Sequence, residues 1–248
     1  MGAVFGALVF APALALGSFL NVVAARLPER RSVVKPRSAC TSCGHEIAWY
    51  DNVPLLSYAI LRGRCRNCRA RIGLIYPAVE LTTALLLAGC VVAFGLTLHA
   101  AAAAVFCAAL VVVTATDLTH RIVPNRVVIP ATVVVLALMT VWDPSPEWAI
   151  AALGASGFLL VVALAYPGGM GMGDVKLALL MGAALGRVVP VALLLGMFAA
   201  LVPSIVLFAR HGSKARKMAI PFAPFLALGS VIALFAGGAI LDAYLSFM

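Results

Sequence analysis

Long apolar runs alternate with short polar stretches over almost the whole chain. Eight runs stand out, at 2–25, 74–95, 98–116, 127–142, 147–166, 175–187, 188–209 and 221–245. Several approach the ~20 residues that an α-helix needs to cross a bilayer. Those at 127–142 and 175–187 are short and need flanking residues, tilt or local thinning to cross. One long polar stretch, 26–73, interrupts the pattern. It is too small to be held together by a hydrophobic core of its own. The pattern therefore predicts an all-α polytopic membrane protein of about eight transmembrane helices with one soluble loop. The organisation expected is a first transmembrane helix at 1–25, a loop domain at 26–73 and a transmembrane core at 74–248.

Composition supports this class. The chain is 64% hydrophobic and 11% charged, with a mean hydropathy of +1.09. A water-soluble domain of this length needs more polar surface to cover its core. Residues 2–25 lack a charged leading region and a small-residue cleavage site, so a retained helix is expected rather than a cleaved signal.

Charge adds an orientation. Ten of the 18 Lys and Arg residues fall in 26–73, Arg121 and Arg126 lie in the loop after the third run, and Arg210, Lys214, Arg216 and Lys217 lie in the loop before the last. Arg187 alone falls on the other side, where Asp143, Glu147 and Asp242 lie. Basic loops stay in the cytoplasm, so the expected topology in the cell's inner or plasma membrane has the N-terminus outside and the polar loop inside. The net charge of +9 is explained by this distribution. The basic loop carries few aromatics (Trp49, Tyr50, Tyr58), so no nucleic-acid partner is expected.

The loop needs a staple, and cysteines offer one. "CTSC" (Cys40, Cys43) and "CRNC" (Cys65, Cys68) make two C-x2-C knuckles separated by twenty-one residues. Four thiolates so arranged suit a tetrahedral structural Zn²⁺; a reducing cytoplasm disfavours disulfides. Free thiols are the alternative. His45 is a candidate substitute ligand but reads as a solvated loop residue, and Cys90 and Cys107 read as small core residues.

Of nine acids, three lie in or beside apolar runs: Glu80, Asp117 and Asp174. An ionisable group at such depth is costly and points to function. Asp117 closes the third run in "TATDLTHRIVPN", and Asp174 opens the sixth in "GMGDVK"; the topology puts both at the cytoplasmic side. Two such acids can meet as a dyad, one ionised to activate water and one protonated to polarise a carbonyl, because two charges about 3 Å apart cannot both ionise. Asp174 has a second reading as a cap on the sixth helix; that reading fails for Asp117, which closes its run. From the residues alone the pair fits either a protease dyad or the ion site of a proton-coupled transporter. A transporter would show inverted repeats, and no internal repeat is visible.

"TDLTHRIVPN" and "GMGDVK" together resemble the type IV prepilin peptidase family of intramembrane aspartic proteases, which share the Gly-x-Gly-Asp signature with presenilin-type enzymes. "GSFLNVVAARLP" (17–28), the two knuckles, "DNVPLLSY" (51–58), "LRGRCRNC" (61–68) and "YPAVELTTALL" (76–86) are similar to its longer, bifunctional members. The resemblance implies cleavage of the leader of prepilins or pseudopilins by Asp117 and Asp174. It also implies zinc on Cys40, Cys43, Cys65 and Cys68, and methylation of the new N-terminus with S-adenosylmethionine. Activity as a peptidase alone is the narrower alternative. On this reading Gly171 and Gly173 leave room for the substrate chain. Lys176 either tunes the dyad or snorkels to the interface. Glu80 serves the loop or a methyl-donor pocket, or pairs with a loop arginine. No residues that would bind the methyl donor are assigned, and Asn21 and Arg26 have no role beyond belonging to the matching stretch.

Overall fold

Backbone crossing hydrocarbon must satisfy its own N–H and C=O groups, which a helix does within one segment. In the computed structural model, which describes residues 2–166, 170–212 and 220–247, each apolar run is such a helix. They are α1 (Gly2–Arg26), α3 (Ile75–Phe94), α4 (Leu98–His120), α5 (Asn125–Trp142), α6 (Glu147–Ala165), α7 (Met172–Leu185), α8 (Val189–His211) and α9 (Ala223–Ser246). The loop between α1 and α3 holds only a 3-10 turn, Trp49–Asp51, and the short α2, Leu56–Ile60. No β-strand occurs among the described residues. Gly168, Gly169, Lys214, Arg216 and Lys217 lie outside them.

Among the described residues, seven helical stretches are long and apolar enough to cross a membrane, with Met172–His211 counted as one of 40 residues. A 3-10 turn at Gly186–Val188 divides that stretch into α7 and α8, giving the eight helices expected. The protein is thus a multi-pass membrane protein. Large apolar side chains such as Leu8, Leu164 and Phe198 are more than 60% exposed. Such surface suits lipid rather than water.

The chain divides into two compact units, Met1–Ala100 and Ala101–Met248. In the first unit α1 packs along α3. At Gly17 the two backbones come close: a side-chain carbon there would lie 2.7 Å from Glu80 Cα. In the second unit α7 packs chiefly against α6 and then α5, and α8 packs against α9.

With 14 residues, α7 is about 21 Å long, short of a hydrocarbon core of about 30 Å. Its surroundings account for this. Ten of those residues are buried, and Leu177, Leu180 and Met181 pack with Phe106 and Leu110 of α4, Val135 and Met139 of α5, Leu159 of α6 and Leu226 of α9. A helix apolar on every side is one enclosed by its neighbours. This inner helix carries Asp174 in its first turn.

Candidate active site

Helix ends decide where a carboxylate can be buried in this unit. The first N–H groups of a helix have no partner within it and carry partial positive charge. The helix α4 continues past the end of its apolar run to His120, so Asp117 lies in its last turn. There its own helix dipole disfavours it. The compensation comes from another helix: Asp117 Oδ2 accepts the Ala223 N–H at 3.2 Å, from a residue 106 positions away that begins α9. The helix-cap role that fails for Asp117 on its own helix thus holds on α9. Pro224 follows in the first turn, where its missing N–H costs nothing.

Asp174 sits in the first turn of α7 behind Gly171, the residue that caps this helix in extended backbone. Its N–H donates to the Gly171 carbonyl at 3.1 Å, and the Gly171 N–H points back at the carboxyl. Both aspartates are buried, at 7% and 8% exposure, and their carboxyls lie within electrostatic reach of each other. Arg121, beside Asp117, adds a positive charge. Two buried acids on different helices, each beside a helix N-terminus, thus interact electrostatically.

The two motifs also touch outside the acids. A side-chain carbon on Gly173 would lie 2.7 Å from Val123 Cβ, so the "RIVPN" segment occupies the space a side chain there would need. Gly171 differs. It is exposed, and a carbon there would meet Asp174 Oδ2 at 3.6 Å and Gly173 N at 3.9 Å, both ordinary contacts. Lys176 does not bond to the dyad; its Nζ donates to Asn125 Oδ1 at 3.0 Å, at the start of α5.

The first unit holds a second polar centre. The ligand atoms of Cys40, Cys43, Cys65 and Cys68 lie within 4.8 Å of one another. Tetrahedral zinc with Zn–S bonds of about 2.3 Å has S···S edges of about 3.8 Å, and Cys40 Sγ is 3.8 Å from Cys68 Sγ. The knuckles are one structure built twice. Cys40 N–H donates to the His45 carbonyl and Cys65 N–H to the Ala70 carbonyl, at 2.9 and 2.8 Å. Gly44 and Arg69 take the matching positive φ, and single bridges pair Ala39 with Glu46 and Arg64 with Arg71. His45 therefore contributes a carbonyl where the other knuckle has alanine, and its side chain is exposed.

Electrostatics fit a cation at this centre. The N–H groups of Cys43 and then Ser42 draw the Cys40 thiol down to about 6. At Cys68 the Ala70 N–H acts in the same direction. Desolvation and the thiols of Cys43, Cys65 and Cys40 outweigh it and push that group up to about 11. Four sulfurs this close ionise together only around a positive ion, and four thiolates suit Zn²⁺.

Glu80, in α3, has a backbone partner rather than an arginine. Its Oε2 accepts the N–H of Leu55 at 2.9 Å, and Leu55 has φ +57 at the start of α2. Nearby, Asn21 Nδ2 donates to the Tyr76 carbonyl at 3.0 Å, and Arg26 donates to the carbonyls of Ser32 and Arg37 at 3.0 and 3.3 Å. Arg66 clamps Asp51 through two bonds of 2.7 and 2.6 Å, which hold the Asp51 carboxyl below the usual carboxylate range. Asn21, Arg26, Asp51, Arg66 and Glu80 line a cavity of about 790 Å³ within the first unit.

Two family models match the chain, one in each half. Residues 12–94 match the bacterial peptidase A24 N-terminal domain, and residues 104–205 match the type IV leader peptidase family. The chain is 34% identical to the prepilin leader peptidase/N-methyltransferase of Bacillus subtilis, over 96% of this chain and 97% of that protein. Identity to the protein of the same name from Pseudomonas aeruginosa is 34%, over 94% and 91% of the two chains. For that of Aeromonas salmonicida it is 36%, over 96% and 93%. No solved structure matches the chain.

Proposed function

Because this chain belongs to the type IV leader peptidase family, we propose that its Asp117 and Asp174 cut the leader from prepilins or pseudopilins. The cut falls where the hydrophobic helix of the substrate emerges at the cytoplasmic face. The observation that carries this reading is the burial of two interacting carboxyls on different helices, each beside a helix N-terminus. The charge distribution supports the cytoplasmic placement, with the N-terminus outside.

The chemistry needs one proton shared by the pair. The ionised carboxylate removes a proton from water as its oxygen bonds to the scissile carbonyl carbon. The protonated partner donates a hydrogen bond to the carbonyl oxygen. On collapse the C–N bond breaks, and the amine leaves with a proton returned by the dyad. The pair works and titrates as a unit. Exposed Gly171, beside Asp174, leaves the approach open for an extended peptide.

The names of the relatives extend the reading to methylation of the new N-terminal amine. Cys40, Cys43, Cys65 and Cys68 hold a structural zinc that orders the loop. S-adenosylmethionine, when bound, would supply the methyl group for that amine.

Co-expression with a prepilin tests the peptidase. Asp117→Asn and Asp174→Asn should each slow leader removal by at least about 100-fold, the scale of general acid–base catalysis. Cleavage at the unaltered rate in both variants would refute the dyad. The mass of the mature N-terminus tests the transferase. An unmethylated product in the presence of S-adenosylmethionine would leave a peptidase alone.

A further inference from the structure

In the helical unit α6 packs on α7 and on the 3-10 turn at Gly186–Val188, and α8 packs on α9, but α6 and α8 touch only sparsely. Between them lies a groove of about 840 Å³, at the opposite end of α7 from Asp174. Its walls are apolar: Ile150, Gly154, Ala155 and Phe158 of α6 face Leu194 and Met197 of α8. Polar side chains gather at one end only, where Ser145 and Glu147 lead into α6 and Arg187 lies in the turn before α8. Gly154 helps to open the space. A side-chain carbon there would meet nothing within 4 Å, so packing within the chain does not call for glycine in this mid-helix position, where alanine is favoured.

We propose that this groove holds one phospholipid with a zwitterionic, amine-bearing headgroup. An acyl chain lies between α6 and α8, Arg187 holds the phosphate, and Glu147 holds the ammonium. The volume lies in the range of about 300–1,000 Å³ that small-molecule sites occupy. Length selects a lipid over a helix. From Glu147 to Phe158 the groove follows α6 for about 16 Å, half of a hydrocarbon core of about 30 Å. An acyl chain reaches through one leaflet. A membrane-spanning helix, from a substrate or from a second copy of this chain, needs a groove through both.

Charge selects the headgroup. Glu147 Oε1 accepts the Arg187 backbone N–H at 2.7 Å, so the two residues adjoin at the mouth. Their side chains do not neutralise each other: the exposed Arg187 forms no ion pair among the described residues. A guanidinium presents a planar fork of N–H donors that matches a phosphate. A carboxylate offers about four acceptor sites, so Glu147 keeps capacity for an ammonium after meeting the backbone. Phosphate and ammonium joined by a short ethylene link reproduce this adjacent pair with the signs reversed. A headgroup that is only negative would meet repulsion from Glu147 that the amine removes.

The test is native mass spectrometry of the full-length chain in detergent, after exposure to dioleoyl phosphatidylethanolamine or to dioleoyl phosphatidylglycerol at equal concentration. A single phosphatidylethanolamine adduct is expected, retained at least about tenfold better than phosphatidylglycerol, the scale of a hydrogen bond to a charged group. Arg187→Gln should weaken its retention by a similar factor. Gly154→Leu places a side chain in the groove, where its first carbon meets nothing, and should abolish the adduct. Circular dichroism checks that both variants keep their helices. Equal retention of the two lipids would overturn the headgroup assignment. An undiminished adduct in Gly154→Leu would overturn the groove as the site. Benzoylphenylalanine at position 158 should cross-link to lipid in intact membranes; capture of a prepilin or of a second copy of the chain instead would overturn the choice of occupant.

Discussion

In the cysteine loop each knuckle closes on itself, Cys40 N–H on the His45 carbonyl and Cys65 N–H on the Ala70 carbonyl. In the helical unit Asp174 likewise closes locally on Gly171, but the other acid does not. Asp117 takes its N–H from Ala223, 106 positions away, and Gly173 is fitted to Val123 from a different helix connection. The first centre is assembled from short, repeated pieces and joined by a metal. The second exists only once α4, α7 and α9 are packed. Solvation explains the contrast: a water-exposed loop can afford charged sulfurs once a cation gathers them. A buried carboxylate needs N–H donors aimed at it, and for Asp117, at the wrong end of its own helix, only tertiary structure delivers one.

The largest effect expected from this difference is at the knuckles. Replacing Cys40 and Cys65 together by serine leaves one thiolate in each knuckle. Structural zinc contributes on the order of 10 kcal/mol or more to the folding of such small sites. Zinc content should fall from about one ion per chain, the stoichiometry of a four-cysteine site, to none, and 26–73 should become open to limited proteolysis. By contrast, Asp117→Asn should leave zinc content unchanged. Retention of zinc by the double serine variant would break the comparison, because the loop would then be held by something other than its four sulfurs.

A smaller effect separates the two glycines of the "GMGD" turn. Valine at 173 has no room beside Val123. Overpacking costs about 1–3 kcal/mol, so Gly173→Val should lower the turnover of leader removal by roughly tenfold or more. Gly171→Ala meets only an ordinary contact and should stay within about threefold. Equal losses at both positions, measured at saturating prepilin, would mean that room for substrate governs the motif rather than packing of the two segments.

The same contrast governs what could be read in advance. The eight helices were legible because bilayer-spanning helices are contiguous apolar runs, and the cysteine cluster was legible because ligand spacing is local. Asp117 and Asp174 stood out as costly acids in apolar surroundings. Their supports did not stand out. The donor to Asp117 is a backbone N–H, which no residue letter encodes; the only trace is the proline pair in "PFAPF", marking a helix start. The Leu55 N–H that meets Glu80 depends on a positive φ at leucine, a conformation that side chain rarely adopts. The enclosure of α7 was equally hidden, since an apolar helix facing protein and one facing lipid have the same composition.

The smallest effect tests how the two motifs are held in register. Lys176 donates to Asn125 at 3.0 Å across an exposed junction of α7 and α5. A hydrogen bond to a charged group is worth up to about 1.5–3 kcal/mol when buried, and exposure brings it nearer 1 kcal/mol or less. Lys176→Met should therefore lower turnover by about fivefold at most, with the Michaelis constant unchanged. A latch can be rebuilt in reverse. The double variant with Lys176→Asn and Asn125→Lys again offers an ammonium to an amide oxygen and should recover most of the lost rate. An electrostatic influence of Lys176 on the dyad predicts otherwise: Lys176→Met would move the pH–rate profile, and the reversed pair would not restore it. An unmoved profile with rescue would assign Lys176 to positioning, the same non-local kind of support that Ala223 gives Asp117.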